Sequence, residues 1–312
     1  MRNILFCGFG RIGLTHYIIS KALNVDSKYT IFEPNKIISR LLSTYLSNAD
    51  IVTNLDQLNK QTFDYTLICS PTQFHISLVN RANVRCDSNI FVEKPFGCLT
   101  DVNTEFTTNI IIGYVLRYNP YVQWIRKNID PKDVCKVVAS YNSYTIKSKP
   151  KGWRAHYGGG VLNEMGSHLI DLLQYTHALD PNDINVCSSK MLGPVSGQDD
   201  IVKASIKSGQ IDIDLELNWI NKKLRKPYFK IEYVLNDGTI VHLDAQSIDI
   251  ERNGRITNLS VDNFITEIPY YLRGIDFTLQ MKDFYGNKEH CCTPSEAIEV
   301  NKIINMIKQD AQ

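Results

Sequence analysis

The chain has 312 residues, more than the ~100 to 200 of a usual single domain, so two domains sharing an interface are expected. Hydrophobic residues make up 43% and charged residues 21%, which excludes a disordered or fibrous chain. The 34 basic and 33 acidic residues leave a formal charge of +1, which argues against nucleic acid or an anionic membrane as partner and for a small molecule.

In chain order, the opening apolar run meets Gly8 and Arg11 too soon for a secretion signal and reads as a buried strand. Further strand-like runs at 29–33, 65–69, 90–92 and 110–115 alternate with helix-compatible segments, the rhythm of βαβ units and a parallel sheet. The longest apolar stretch, 110–116, is far below the ~20 residues that span a bilayer, so no membrane segment is expected. After about Tyr118 the pattern becomes alternating strands at 134–144, 201–206, 211–219 and 228–235, with turn signals at Asn236-Asp237-Gly238 and Asn253-Gly254. One helix, 161–175, interrupts them, opened by Gly158-Gly159-Gly160. A closing helix starts at Thr293-Pro294-Ser295-Glu296, with Thr as N-cap, Pro at the first helical position and Glu completing a capping box.

The fold class expected is α/β: a Rossmann dinucleotide-binding domain over 1–118 and an α+β domain with an open, mainly antiparallel sheet over 119–312. The second domain is assigned substrate binding and oligomerisation, with the last helix, 294–309, packing back on the first domain. Aromatic strands near Trp219 and Tyr228 offer an apolar contact for a homodimer or homotetramer. Eight cysteines without a C-x-x-C pair fit reduced thiols and a cytoplasmic location. His290-Cys291-Cys292 lacks a second ligand pair, so no metal is expected.

Gly8-Phe9-Gly10-Arg11-Ile12-Gly13 follows a strand and opens an apolar helical run, the context that gives a G-x-G-x-x-G sequence meaning. Gly8 permits the tight turn, Gly10 lets backbone approach a pyrophosphate, and Gly13 lets helix and strand pack closely. Glu33, twenty residues beyond Gly13, is placed to accept hydrogen bonds from the adenosine ribose, which favours NAD; Arg11, Lys36 and Arg40 keep NADP open. The same hexapeptide opens the glyceraldehyde-3-phosphate dehydrogenases, but no Ser-Cys-Thr-Thr-Asn stretch carries their thiol chemistry; Cys98-Leu99-Thr100-Asp101 is only a superficial echo.

Two further segments, Ser70-Pro71-Thr72-Gln73-Phe74-His75 and Glu93-Lys94-Pro95, each follow a parallel strand, at the edge where such sheets bind ligands. Ser70, Pro71, Thr72, His75, Glu93 and Lys94 are therefore cofactor-side candidates. In the interrupting helix, Glu164, His168 and Asp171 stand at i, i+4 and i+7 and are expected to share a face.

With these motifs in order, the chain resembles the glucose-fructose oxidoreductase / inositol dehydrogenase family, also called Gfo/Idh/MocA, over nearly its whole length. The motifs are GFGRIGLTH, SPTQFH, EKP and GGG-x-L-x-E-x-G-x-H-x-x-D, with Gly113-Tyr114 and Arg117-Tyr118-Asn119-Pro120 between the last two. The resemblance implies a Rossmann domain followed by an open-sheet domain, with substrate over the nicotinamide between them. It also implies oxidation or reduction of a carbinol carbon of a sugar, cyclitol or nucleotide-linked sugar. Where the family usually carries Asp, this chain has Glu164, one methylene longer.

Hydride transfer from a carbinol carbon needs a partner for the hydroxyl proton. His168 is assigned as acid/base and Lys94 as the electrophile orienting the hydroxyl, with the two roles exchangeable and Glu164 beside them. Glu93 is expected to anchor Lys94 or nearby backbone. Arg117, Tyr118, Asn119, Trp153 and Arg154 are secondary substrate-binding candidates, and His16 is read as packing or capping. Two other readings stand beside the dehydrogenase: an NAD-retaining glycosidase or epimerase using transient oxidation, and a noncatalytic dinucleotide-binding regulator.

Overall fold

The computed structural model describes residues 1–311 except Val25, Lys60, 86–88, 98–108, 152–158 and 260–273. It divides into two compact units, one of Met1–Val115 with Ile268–Ile298 and one of Leu116–Glu267 with Glu299–Gln312.

In the first unit, β1 (Arg2–Cys7), β2 (Ser27–Phe32), β3 (Ala49–Val52), β4 (Tyr65–Ile68), β5 (Asn89–Val92) and β6 (Asn109–Ile112) form a parallel sheet in the order β3-β2-β1-β4-β5-β6. α1 (Arg11–Leu23), α2 (Lys36–Tyr45) and α3 (His75–Arg85) connect the strands. Ile4, Phe6, Ile31, Leu67 and Phe91 are fully buried, which is why these strands read as near-continuous apolar runs rather than alternating ones. The order reverses between β1 and β4, so Gly8 and Cys69 flank the switch point where such sheets leave a crevice beyond the strand ends.

A helix late in the chain, Ile275–Tyr285, completes this core. Its Met281 and Phe284 are fully buried in the cluster with Phe6 and Phe91, and Tyr285 Oη shares a 2.7 Å hydrogen bond with Ser20 Oγ on α1.

The second unit begins with α4 (Pro120–Asn128) and β7 (Val134–Asn142), followed by a π-turn, Leu162–Gly166, that runs into α5 (Ser167–Tyr175). Next come β8 (Ile184–Leu192), β9 (Ile201–Ser208), β10 (Ile211–Asn218), β11 (Tyr228–Leu235), β12 (Ile240–Asp244), β13 (Ile248–Arg252) and β14 (Arg255–Leu259). α6 (Ile275–Tyr285) and α7 (Pro294–Asp310) close the chain, and the line between units falls within α7. The sheet order is β14-β13-β12-β11-β7-β10-β9-β8, antiparallel except for the β7–β10 pair.

Strict alternation decides which face of this sheet is buried. Ile211, Ile213, Leu215 and Leu217 of β10 point inward, while Asp212, Asp214 and Glu216 pair outward with Lys207, Lys136 and Lys203. The outer face is thus a ladder of cross-strand ion pairs rather than an apolar surface. Of the two aromatics expected to offer an apolar contact, Trp219 is buried with its indole N–H on Asp200 Oδ1 at 2.6 Å, while Tyr228 is exposed and its hydroxyl donates to Asp244. Among the described residues, no helix is long and apolar enough to cross a membrane.

Candidate functional site

The carboxyl edge of the first sheet gathers the motif residues. Gly8 has φ +92°, and a Cβ there would lie 2.8 Å from Ser70 Cα, so only glycine lets β1 leave the sheet beside Ser70. A Cβ on Gly13 would come within 2.4 Å of Gly8 O, which is the close helix–strand approach expected of the third glycine. Gly10 differs from both: a Cβ there would meet nothing within 4 Å. It stands at the N-cap of α1, where no side chain caps the helix and no acidic residue occupies the first turn. Orphan N–H groups and the positive helix end therefore face open space, the arrangement that receives an anion.

Glu33 lies just past β2, nearly buried, with Oε2 accepting from Phe9 N–H at 3.2 Å and Oε1 from Asn35 N–H at 3.0 Å. These donors orient the carboxylate without exhausting its roughly four acceptor positions, so a ribose diol fits as a further donor. Phe9 contributes backbone only; its ring packs against Tyr17 at 5.3 Å. Arg11 is exposed and Ile12 packs partly on the core.

Ser70, Pro71 and Thr72 are half-buried, and a short turn, Thr72–Phe74, leads into α3. His75 is buried, with Nε2 2.8 Å from Ser70 O and Nδ1 3.0 Å from Pro95 O, so its ring ties this segment to the turn after β5. Burial pushes its pKa below the usual histidine value against the opposing pull of the two carbonyls. Lys94 is half-buried and followed by a cis bond to Pro95.

The Glu93 carboxylate takes the imidazole Nε2 of fully buried His16 at 2.7 Å. His16 Nδ1 meets no partner among the described residues, so the tautomer protonated on Nε2 suits this pocket. A Cβ on Gly113 would sit 2.9 Å from Phe91 Cζ and 3.3 Å from Glu93 Cα, so glycine is what lets β6 pass beside this pair.

The second unit holds the other candidates. The expected single helix begins as a π-turn, which inserts extra backbone and breaks the i, i+4, i+7 register. Glu164 and His168 are half-buried, whereas Asp171 is fully buried. Asp171 accepts from Arg117 Nε at 3.0 Å and Nη2 at 2.7 Å, both side chains about 1% exposed, and the Arg117 guanidinium lies 4.9 Å from the Tyr175 ring centroid. Arg117 and Asp171 thus form an internal clamp that holds α5 to the segment before α4. Asn119 caps α4 through Tyr121 N–H and Val122 N–H and donates to Ala245 O; Tyr118 is buried. Trp153 and Arg154 lie outside the described residues.

The start of the π-turn is held by a loop the sequence did not single out. Asp199 Oδ2 accepts Leu162 N–H at 2.7 Å, Asp199 O accepts Val161 N–H, and Gln198 Oε1 accepts Gly160 N–H. Burial raises the Asp199 pKa above the usual carboxylate value. Lys308 of α7 donates to Asn163 Oδ1 at 2.9 Å. The His168 ring lies 6.4 Å from that of Tyr141 on β7. Adjacent Asp199 and Asp200 just before an apolar strand were the one available signal for this loop.

Among the described residues, Cys7, Cys69, Cys135, Cys187, Cys291 and Cys292 form no disulfide, and burial pushes the Cys69 pKa well up. Cys98 lies outside the described residues. Among the described residues, no three His, Cys, Asp or Glu side chains converge as metal ligands.

A parallel sheet with its switch point at a glycine turn, and a second unit built on an open, mainly antiparallel sheet, make up a fold shared with solved dehydrogenase structures. The chain is similar to levoglucosan dehydrogenase in complex with NADH and levoglucosan, with a TM-score of 0.83 at 15% identity over 99% of this chain and 97% of that one. It is likewise similar to UDP-N-acetylglucosamine 3-dehydrogenase GnnA from Acidithiobacillus ferrooxidans, with a TM-score of 0.77 at 16% identity over 99% and 97%. In sequence it is 24% identical to the rhizopine catabolism protein MocA of Rhizobium meliloti over 63% of this chain and 64% of that protein. It is 30% identical to the uncharacterized protein UNK4.17 of Schizosaccharomyces pombe, over 42% of this chain and 36% of that protein. The chain therefore matches less than two thirds of the length of either curated relative. No protein-family model matches it.

Proposed function

We propose that this chain is an NAD-linked oxidoreductase that moves hydride between the nicotinamide and a carbinol carbon of a sugar, cyclitol or nucleotide-sugar. The observation that carries the reading is the Gly8–Gly13 turn. Gly10 faces open space at an uncapped helix start, while the neighbouring Glu33 carboxylate is held by Phe9 N–H and Asn35 N–H. The fold shared with levoglucosan dehydrogenase and GnnA supports it.

The bound dinucleotide would supply the hydride acceptor. The α1 N-terminus holds its pyrophosphate, and Glu33 accepts from the ribose hydroxyls, where a 2′-phosphate would meet a carboxylate. Lys94, on a turn tied down by His75, orients the substrate hydroxyl and stabilises charge developing on its oxygen. His168 takes or returns the hydroxyl proton, and Glu164 contacts substrate or tunes His168.

The test is a screen of sugars and nucleotide-sugars for a change in nicotinamide absorbance, run on the wild type, Lys94→Ala and His168→Ala with NAD and NADP matched. Each substitution is expected to lower kcat by about 10²- to 10⁴-fold. Equal turnover in all three proteins would overturn the site assignment, and a folded chain that binds neither dinucleotide by calorimetry would remove the premise. An NAD-retaining glycosidase or epimerase would turn over with no net change in absorbance.

A further inference from the structure

Two strands of the second unit deliver an unneutralised cluster of cations to one end of the sheet. β7 and β10 run parallel with Asn142 opposite Asn218, so the segments after them leave side by side. A bridge between Tyr144 and Ile220, and the hydrogen bond from Asn221 N–H to Ser143 O at 2.9 Å, hold the two exits together. Segment 143–151 carries Lys147, Lys149 and Lys151, and segment 219–227 carries Lys222, Lys223, Arg225 and Lys226; neither contains an Asp or Glu.

All seven cations are exposed, and none has a carboxylate partner among the described residues. Lys147 has only the Tyr144 ring, 5.3 Å from its ammonium. Lysines elsewhere on the same sheet behave differently: Lys136 pairs with Asp214 at 2.8 Å and Lys203 with Glu216 at 3.1 Å. In a chain of formal charge +1, seven cations that meet no carboxylate among the described residues form a local positive field on two adjoining segments.

This end of the sheet also carries the candidate acid/base segment. The Ser143 hydroxyl donates to Met165 Sδ at 3.4 Å, a Cβ on Gly166 would lie 2.7 Å from Leu217 Cδ1, and the His168 ring is 6.4 Å from that of Tyr141. The segments that carry the cations therefore leave the sheet at the strand ends against which the stretch holding Glu164 and His168 packs.

We propose that segments 143–151 and 219–227 form an anion-binding edge, and that the substrate is a sugar esterified to phosphate or diphosphate. This rests on the oxidoreductase reading above for the identity of the neighbouring chemistry, but the anion edge is separately testable. Lysine ammoniums act as point charges on phosphoryl oxygens, so affinity is expected to fall as salt shortens the screening length.

The experiment uses the full chain with and without NADH, whose fluorescence on binding reads the dinucleotide site alone. Calorimetry then measures uridine diphosphate, glucose 6-phosphate and free glucose against the wild type and two double variants, Lys147→Glu/Lys149→Glu and Lys222→Glu/Lys223→Glu. Both phosphorylated probes are expected to bind more tightly than glucose, and their ranking tells diphosphate from monoester. Each double reversal is expected to weaken them by roughly ten-fold or more while NADH affinity and the thermal midpoint stay unchanged. Phosphorylated probes binding no better than glucose, or both variants binding them like the wild type, would overturn the proposal. So would a short DNA duplex or phosphatidylserine vesicles binding at lower concentration than either probe. Loss of NADH binding with the phosphate response intact would instead count against the oxidoreductase reading.

Discussion

Two glycine-rich segments each open a helix in this chain, and they use the missing side chain in opposite ways. At Gly10 the space a Cβ would take is empty, whereas at Gly160 a Cβ would lie 1.8 Å from Asp199 Oδ1, and at Gly159 1.9 Å from Asn163 Nδ2. Both Gly159 and Gly160 also have positive φ, +68° and +77°. The first glycine borders open space, as the proposed dinucleotide site requires, and the second pair makes room for the chain itself. Glycine motifs that look alike in sequence thus separate into an open turn and an internal clamp once the neighbours are known.

The comparison is broken most severely by removing what holds the second helix. Asp171→Ala leaves the Arg117 guanidinium buried without its carboxylate, expected to cost about 3–5 kcal/mol in thermal or denaturant unfolding. A loss under 1 kcal/mol would mean the clamp is dispensable. Gly160→Ala follows, at about 2–4 kcal/mol, because it combines a left-handed backbone with a collision against Asp199. Gly10→Ala is its counterpart: stability is expected to change by less than about 0.5 kcal/mol, while affinity for NAD falls at least about ten-fold. If Gly10→Ala unfolds the protein or leaves NAD affinity intact, the two segments are not opposites.

This contrast also marks where sequence reasoning stops. The parallel sheet was legible because its strands are buried on both faces, and the glycine turn because strand, turn and helix are contiguous. The β13–β14 turn was legible in Asn253-Gly254, but strands β8 and β14 were not: Asn185, Cys187, Ser188 and Lys190 leave β8 largely exposed, and Arg255, Ile256, Thr257 and Asn258 do the same for β14. Pairings between distant residues left no local trace. Arg117 meets Asp171 across 54 positions and His16 meets Glu93 across 77, so neither contact shows in the local sequence. The π-turn was equally hidden, since a spacing of four residues looks the same whether or not an extra residue follows.

Asp199 sharpens the clamp through pH. Its folded pKa is raised by burial, so the folded state holds that proton more tightly than the unfolded chain does. Its contribution to stability is therefore full below the ordinary carboxyl value of 3.8 and is lost as pH rises through the higher folded value. Asp199→Asn keeps an acceptor for Leu162 N–H and removes the titration, so its stability relative to wild type should rise with pH across that window. A constant difference between the two proteins would exclude Asp199 as the titrating group.

The smallest effect is expected at a helix start that uses no glycine. α7 opens on a reciprocal pair: Glu296 Oε2 accepts from Thr293 N–H at 2.8 Å, and Thr293 Oγ1 accepts from Glu296 N–H at 3.3 Å. Each side chain satisfies a donor that the other end of the box leaves orphaned, which is what Gly160 obtains from Gln198 and Leu162 from Asp199. Because Thr293 is exposed and Glu296 only half-buried, water replaces much of what is lost, and Thr293→Ala should cost only about 0.5–1 kcal/mol. NAD affinity should not move. A cost equal to that of Gly160→Ala would show that the depth of burial, which separates the two starts, is not what sets the strength of a helix clamp in this fold.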